Sequence, residues 1–193
     1  MRFFSIFLIS QFLVGCTVCA YVKPDFAKTD RHSLKRIGIY VTRTEAAPLK
    51  AYRLLARMTR RSILQYKDYL AAEEGLLYGA KRWQKKCNEE LDGILAVEVE
   101  EIADLGTETA FTATFILRRC KDNVVVWKAE GRVVNEKKDT DLAELAKVYE
   151  DEYGQVAQRY AAPFFVLVKA AIATLPSPKL NDEEIMEKIA LDD

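Results

Sequence analysis

Hydrophobic spacing changes several times along the chain, and each change marks an element. A dense apolar run, Phe3 to Val14, is followed by Ala20 to Ser33, which is polar, keeps no period and reads as a tether. Leu34 to Val41 (Leu-Lys-Arg-Ile-Gly-Ile-Tyr-Val) is a short β-branched run that predicts a first strand. Thr44 to Pro48 carry helix-start signals, and Leu49 to about Gln65 place Tyr52, Leu55, Met58 and Ser62 at helical spacing, with Leu54 beside them. Tyr66 to Ala72 reads as a helix end or as a strand, and a strand around Tyr69–Ala72 is favoured. Ala80 to Glu90 has helix-forming composition.

From Leu91 the period becomes two. Leu95, Val97 and Val99 fall on one face, with Ala96, Glu98 and Glu100 on the other. Phe111, Ala113, Phe115 and Leu117 then face inward, with Thr112, Thr114 and Arg118 outward. Val125, Trp127, Ala129, Gly131 and Val133 face inward, with Lys128, Glu130 and Arg132 outward. Lys121-Asp122-Asn123 suits a hairpin between the last two strands. Strands with one apolar and one charged face predict a sheet covered on one side only. The cover is helical: Asp139 to Tyr160, interrupted by Gly154, then a nearly all-apolar helix opened by Pro163 and ended by Pro176-Ser177-Pro178. The segment after Pro163 is too short to span a bilayer and contains Lys169. Asn181 to Asp193 is acidic and predicts a frayed turn or a disordered tail. The expected fold is α+β, two layers, with a mostly antiparallel sheet covered on one face by helices.

Composition narrows function only a little. Half of the 193 residues are hydrophobic and 30% are charged, an ordinary globular balance. The formal net charge is zero, so no global field selects nucleic acid, which is not an expected partner. Residues 1–15 combine one basic residue, Arg2, with the apolar run, the layout of a signal peptide. The run ends in Leu13-Val14-Gly15-Cys16, which resembles the lipobox of bacterial lipoproteins. That resemblance implies cleavage before Cys16 and acylation of its thiol and freed amine, anchoring the chain in a lipid bilayer. Thr17, where enteric bacteria commonly use Asp for inner-membrane retention, favours the outer membrane and a periplasm-facing domain. The expected organisation is a signal peptide over 1–15, a lipidated cysteine and tether over 16–33, a periplasmic domain over 34–176 and an acidic tail over 177–193.

Export places Cys87 and Cys120 in an oxidising compartment, where they either pair as a disulfide or remain two buried thiols. Their spacing fits no zinc pattern and His32 is the only histidine, so no metal or cofactor is expected. Ser33, Ser62 and Ser177 lie in no nucleophile-elbow setting, no glycine loop follows a strand, and an enzyme is not expected. Lys50, Arg53, Arg57, Arg60 and Arg61 form a stripe along the first helix. It is either a solvated face or a docking surface for anionic lipid head groups or an acidic protein surface. Lys81-Arg82-Trp83-Gln84-Lys85-Lys86 adds a second basic cluster around an aromatic.

The lipobox, the strand Lys35–Ile39 and the hairpin Phe115–Trp127 resemble small lipoproteins of the proteobacterial and spirochaetal envelope, most closely those of myxobacteria and leptospires. More distantly they resemble the periplasmic α+β domain of penicillin-binding-protein activators, the N-terminal domain of the Tol-system β-propeller protein, and exopolysaccharide-export lipoproteins. The resemblance implies a non-catalytic adaptor that binds envelope proteins, in assembly, secretion or control of peptidoglycan enzymes. The alternative is a homo-oligomeric structural or pore-associated subunit of an export system. Cys87 and Cys120 belong to no pattern of these families.

Overall fold

A computed structural model of the chain describes residues 17–78, 82–87, 90–104, 106, 108–136 and 140–192. The signal-peptide segment and Cys16 lie outside the described residues. Six strands form one sheet: β1 (Thr17–Val22), β2 (Arg36–Thr42), β3 (Leu70–Leu77), β4 (Gly93–Asp104), β5 (Glu108–Arg119) and β6 (Val125–Glu136), in the order β1-β6-β5-β4-β2-β3. The β4–β5–β6 meander and the β1–β6 pair are antiparallel, whereas β2 pairs in parallel with both β3 and β4. The helices are α1 (Phe26–Thr29), α2 (Leu49–Tyr66), α3 (Thr140–Tyr153), α4 (Gln155–Thr174) and α5 (Asp182–Asp192). The fold is α+β, as the alternation of apolar and charged positions predicts.

Helices α2 and α4 pack side by side on one face, α2 over β2 and β3, α4 over β5, β6 and β1. The main core is what the period-two strands dictate: Leu95, Val97 and Val99 of β4, Phe111, Phe115 and Leu117 of β5, and Trp127 and Ala129 of β6. Against them sit Tyr52, Leu55 and Met58 of α2 and Phe164, Leu167 and Val168 of α4. Phe164 meets Phe111 at 4.6 Å between ring centres, and the buried Trp127 donates its indole N–H to Thr174 Oγ1 at 3.2 Å. A register irregularity at Leu117/Arg118 turns Val126 rather than Val125 into this core.

Four expectations need correction. Residues 17–33 are not a tether. Thr17–Val22 adds the edge strand β1, and the buried Phe26 of α1 plugs the core behind it. The chain after Pro176 is not a disordered tail, because α5 docks on β3 and α2. Asn181 Oδ1 accepts the Glu184 amide at 2.9 Å while Glu184 Oε2 accepts the Asn181 amide at 2.7 Å, a reciprocal cap at the start of the helix. Lys35–Glu184 (2.7 Å) and Arg36–Glu187 (2.5 Å) fasten α5 to the start of β2.

Pro163 does not open a helix either. It lies inside the 20-residue α4, buried, where it forgoes one amide donor without ending the helix. By length and composition α4 could cross a membrane, but it is the core helix of this sheet. Finally, the second sheet face is partly covered. Tyr40, Leu77, Trp83, Leu91 and Ile94 form a smaller cluster there, with Ala72, Cys87 and Cys120 packed against it. Ile94, on the face opposite Leu95, is the apolar residue that a simple charged-face reading passes over.

Candidate functional site

Strand register fixes which features share an end of the sheet. Thr17 pairs with Arg132 and Val22 with Trp127, so the chain enters β1 from the side of the β4–β5 turn and runs toward the β5–β6 hairpin. Thr42 and Leu77, the last residues of β2 and β3, lie in the same row as Glu98, Thr114, Glu130 and Cys19. The start of α2 therefore lies toward the end where the chain enters. The β5–β6 hairpin lies at the opposite end, about 25 Å away at the usual rise of a strand.

The hairpin end is tightly built. Cys87 and Cys120 are bonded, with an S–S distance of 2.09 Å and Cα atoms 5.5 Å apart. This ties the segment around the short 3-10 turn Arg82–Lys86 to the end of β5. Asn123 completes the hairpin at φ 64°, a left-handed position that Asn tolerates well. Arg119 grips Asp122 through two hydrogen bonds, Nε to Oδ1 at 2.8 Å and Nη2 to Oδ2 at 2.5 Å. The pairing holds the Asp122 carboxyl below its ordinary range and raises Arg119. The third guanidinium nitrogen reaches Asp30 Oδ1 at 2.6 Å.

Asp30 has no solvent exposure, and its other oxygen accepts from Thr29 Oγ1 at 2.6 Å and Lys23 Nζ at 3.1 Å. Lys23 also pairs with Asp25 at 2.7 Å, which raises the lysine and lowers the carboxyl. Nearby, Asp92 Oδ2 accepts the amides of Lys35 and Arg36 at 2.9 and 2.8 Å. Together these groups frame a cleft of about 560 Å³ lined by Thr29, Ser33, Asp92, Arg119, Lys121 and the disulfide. Arg119, Asp122 and Asp92 are already engaged within the protein while Lys121 is exposed, so the hydrogen-bonded part of the cleft has the architecture of a brace. Sequence reasoning missed Asp30 and Arg119. The signal within reach was Asp122-Asn123, a turn pair whose aspartate stands three residues after Arg119, whereas nothing near Asp30 marks it for burial.

The basic stripe separates into two parts. Lys50, Arg53, Arg57 and Arg61 are exposed on α2, as their spacing predicts. Arg60 is not. It turns inward, giving Nε to the Ala71 carbonyl at 2.8 Å and Nη2 to the Leu191 carbonyl at 2.9 Å, so it buttresses β3 and α5. Arg57 lies 3.5 Å from Glu74, whose carboxyl burial raises above its ordinary value. Lys50, Arg53 and Arg61 form no ion pair among the described residues.

In the second basic cluster Lys81 and the Arg82 side chain lie outside the described residues, and Gln84 and Lys85 are exposed. Trp83 is buried beneath Arg118, whose guanidinium lies 5.3 Å from its ring centre, and Lys86 covers Tyr40 at 5.0 Å. Glu98, Glu100 and Glu101 lie on the outer face of β4. There Glu100 accepts from Thr114 at 2.5 Å, and Glu101 accepts from Thr112 at 3.3 Å with Arg132 3.7 Å away. No cluster of side chains suited to a metal occurs among the described residues.

No family model matches the chain, and no curated protein matches it. Solved structures do resemble it. The chain is similar to the PelC dodecamer from Paraburkholderia phytofirmans at 18% identity and a TM-score of 0.45, over 80% of this chain and 96% of that one. It is similar to the hypothetical protein CT253 from Chlamydia trachomatis at 12% identity and a TM-score of 0.40, over 73% and 99% of the two chains. It is also similar to the lipoprotein GNA1162 from Neisseria meningitidis at 13% identity and a TM-score of 0.38, over 64% and 98%.

Proposed function

We propose that the chain is an envelope lipoprotein, anchored through acylated Cys16 and facing the periplasm from the outer membrane. In this reading it works by docking an acidic surface of a protein partner on α2. The observation that carries the docking role is the exposed side of this helix. Lys50, Arg53 and Arg61 stand in solvent without an ion-pair partner among the described residues, on a helix whose opposite side is locked into the main core. Unpaired cations on a rigid element steer an acidic partner and fix its register at little conformational cost. The lipobox supplies the anchoring half of the reading.

The test is charge reversal that spares Arg60. The combined variant Lys50→Glu, Arg53→Glu, Arg61→Glu is expected to keep the far-ultraviolet spectrum and the Cys87–Cys120 bridge while losing most partner capture in cross-linked cells. Residual wild-type capture should itself weaken as salt is raised. Capture at wild-type yield by the folded variant would leave the stripe as a solvated face. A homo-oligomer is the second reading, favoured by the outer edge of β1, which pairs with no strand among the described residues and could be extended by another copy.

A further inference from the structure

The anchoring cysteine has no tether behind it. Thr17, one peptide bond after Cys16, is already paired with Arg132, so an acyl chain on Cys16 leaves the folded sheet within a few ångströms of its edge. The strand that follows is Thr-Val-Cys-Ala-Tyr-Val, six residues without a charge or a proline. Edge strands are ordinarily guarded by such residues. Cys19 and Ala20 are exposed, and Tyr21 and Val22 retain 51% and 39% of their surface. The residues registered beside Thr17 and Tyr21 on β6 are Arg132 and Lys128, both substantially exposed, Arg132 lying 3.7 Å from Glu101 and Lys128 paired to Glu130.

We propose that the outer edge of β1 lies along the bilayer surface. In that arrangement Tyr21 and Val22 sit at the head-group level, and Lys128 and Arg132 reach lipid phosphates. The occupant follows from the covalent geometry: with Cys16 acylated, the membrane is the surface the chain cannot leave, and β1 is the element joined directly to it. An aromatic ring with a polar tip and long basic side chains suit the interfacial layer. The backbone groups of the edge, which pair with no strand among the described residues, meet water and head groups there, not hydrocarbon. This placement rests on the acylation of Cys16 proposed above.

Cys19 offers a direct probe, because it is free and exposed while Cys87 and Cys120 are bonded to each other. Full-length acylated protein, nitroxide-labelled at Cys19, is reconstituted into phosphatidylethanolamine–phosphatidylglycerol vesicles. Collision rates are measured with oxygen, which concentrates in lipid, and with a water-soluble nickel chelate. A second sample carries the label at Lys121→Cys, on the far hairpin, in a Cys19→Ser background. The expected result is an oxygen-to-nickel ratio several-fold higher at Cys19 than at Lys121→Cys. Equal, water-like ratios in protein that floats with the vesicles would overturn the placement and leave the anchor standing. Dipolar broadening between Cys19 labels, with shielding from both reagents, would show a second copy on the edge and would also overturn it. Protein that fails to float, with an unmodified Cys16, would sink the anchor and the placement together, and mass spectrometry of the N-terminal peptide identifies that case.

Discussion

A carboxylate with no solvent exposure, gripped by a guanidinium, an ammonium and a hydroxyl, joins two distant parts of the chain. Asp30 ends α1, Lys23 follows β1, and Arg119 ends β5. Removing one member of a buried charged group leaves the others desolvated and unpaired, and that loss is larger than the net contribution of the intact group. Arg119 and Lys23 keep 19% and 17% of their side-chain surface, so water relieves part of the penalty. Asp30→Ala is expected to destabilise the domain by about 2–3 kcal/mol. The urea midpoint should fall, and proteolysis should cut first between Lys23 and Arg31, where α1 loses its hold.

At the scale of elements, the signals differ in how much chain carries them. Strands β4, β5 and β6 each run for 12 residues, long enough for period two to show plainly. Helix α2 was equally legible, because ten of its residues are buried along one stripe and Pro48 stands just before it. Strand β1 has only six residues, and α1 only four with a single buried side chain, Phe26. Neither is long enough to set a period, and their burial depends on partners far along the chain. Pro163 misled for a different reason: the packing of Phe164, Leu167 and Val168 outweighs one lost amide donor, so tertiary burial overrides a local stop signal.

Helix α5 did carry a local signal, the Asn181-x-x-Glu184 cap, which composition alone obscured. Asn181→Ala is expected to loosen α5 by about 1 kcal/mol, seen as faster amide exchange confined to residues 182–192. Lys35, foremost, holds the Glu184 carboxyl below its ordinary value. A carboxyl depressed in the folded state stabilises above its unfolded pKa, and that contribution disappears as pH falls through the folded value. Acidification below the ordinary glutamate range should therefore release α5 in the wild type, and Lys35→Met should raise the Glu184 titration midpoint followed by carbon-detected NMR.

The whole molecule is a sheet with unlike edges and unlike ends. Helix α2 lies over β2 and β3, at the far side of the sheet from β1, so the proposed placement of that edge on lipid leaves the Lys50–Arg61 face turned away from the bilayer. The hairpin end is braced by the Cys87–Cys120 bond, which closes a separation of 33 residues. Restricting the unfolded chain over such a loop stabilises by about 3–4 kcal/mol. The double variant Cys87→Ser, Cys120→Ser should lose about that much in urea unfolding. Its extra exchange should concentrate around Trp83, Leu91 and Ile94, while the amides of α4 keep their order of protection. The β4–β5 register, with Gly93 beside Arg119, is what sets Cys120 next to the segment that holds Cys87, and the spacing of the two cysteines does not by itself give that register.

Strand β1 also has a place in time. Its whole ladder is with β6, and all of β2 to β5 lies between them in the chain. A polypeptide delivered across a membrane from its N-terminus thus presents residues 17–22 first and completes them last. Until then Thr17 and its neighbours lack the β6 ladder that holds them in the fold. In the lipoprotein proposed above, an enzyme that cuts the Gly15–Cys16 bond meets residues 17–22 free of that ladder only before it closes. Closure of the sheet on β6 withdraws Thr17 into a ladder, so under that proposal maturation of the N-terminus and completion of the fold draw on the same few residues.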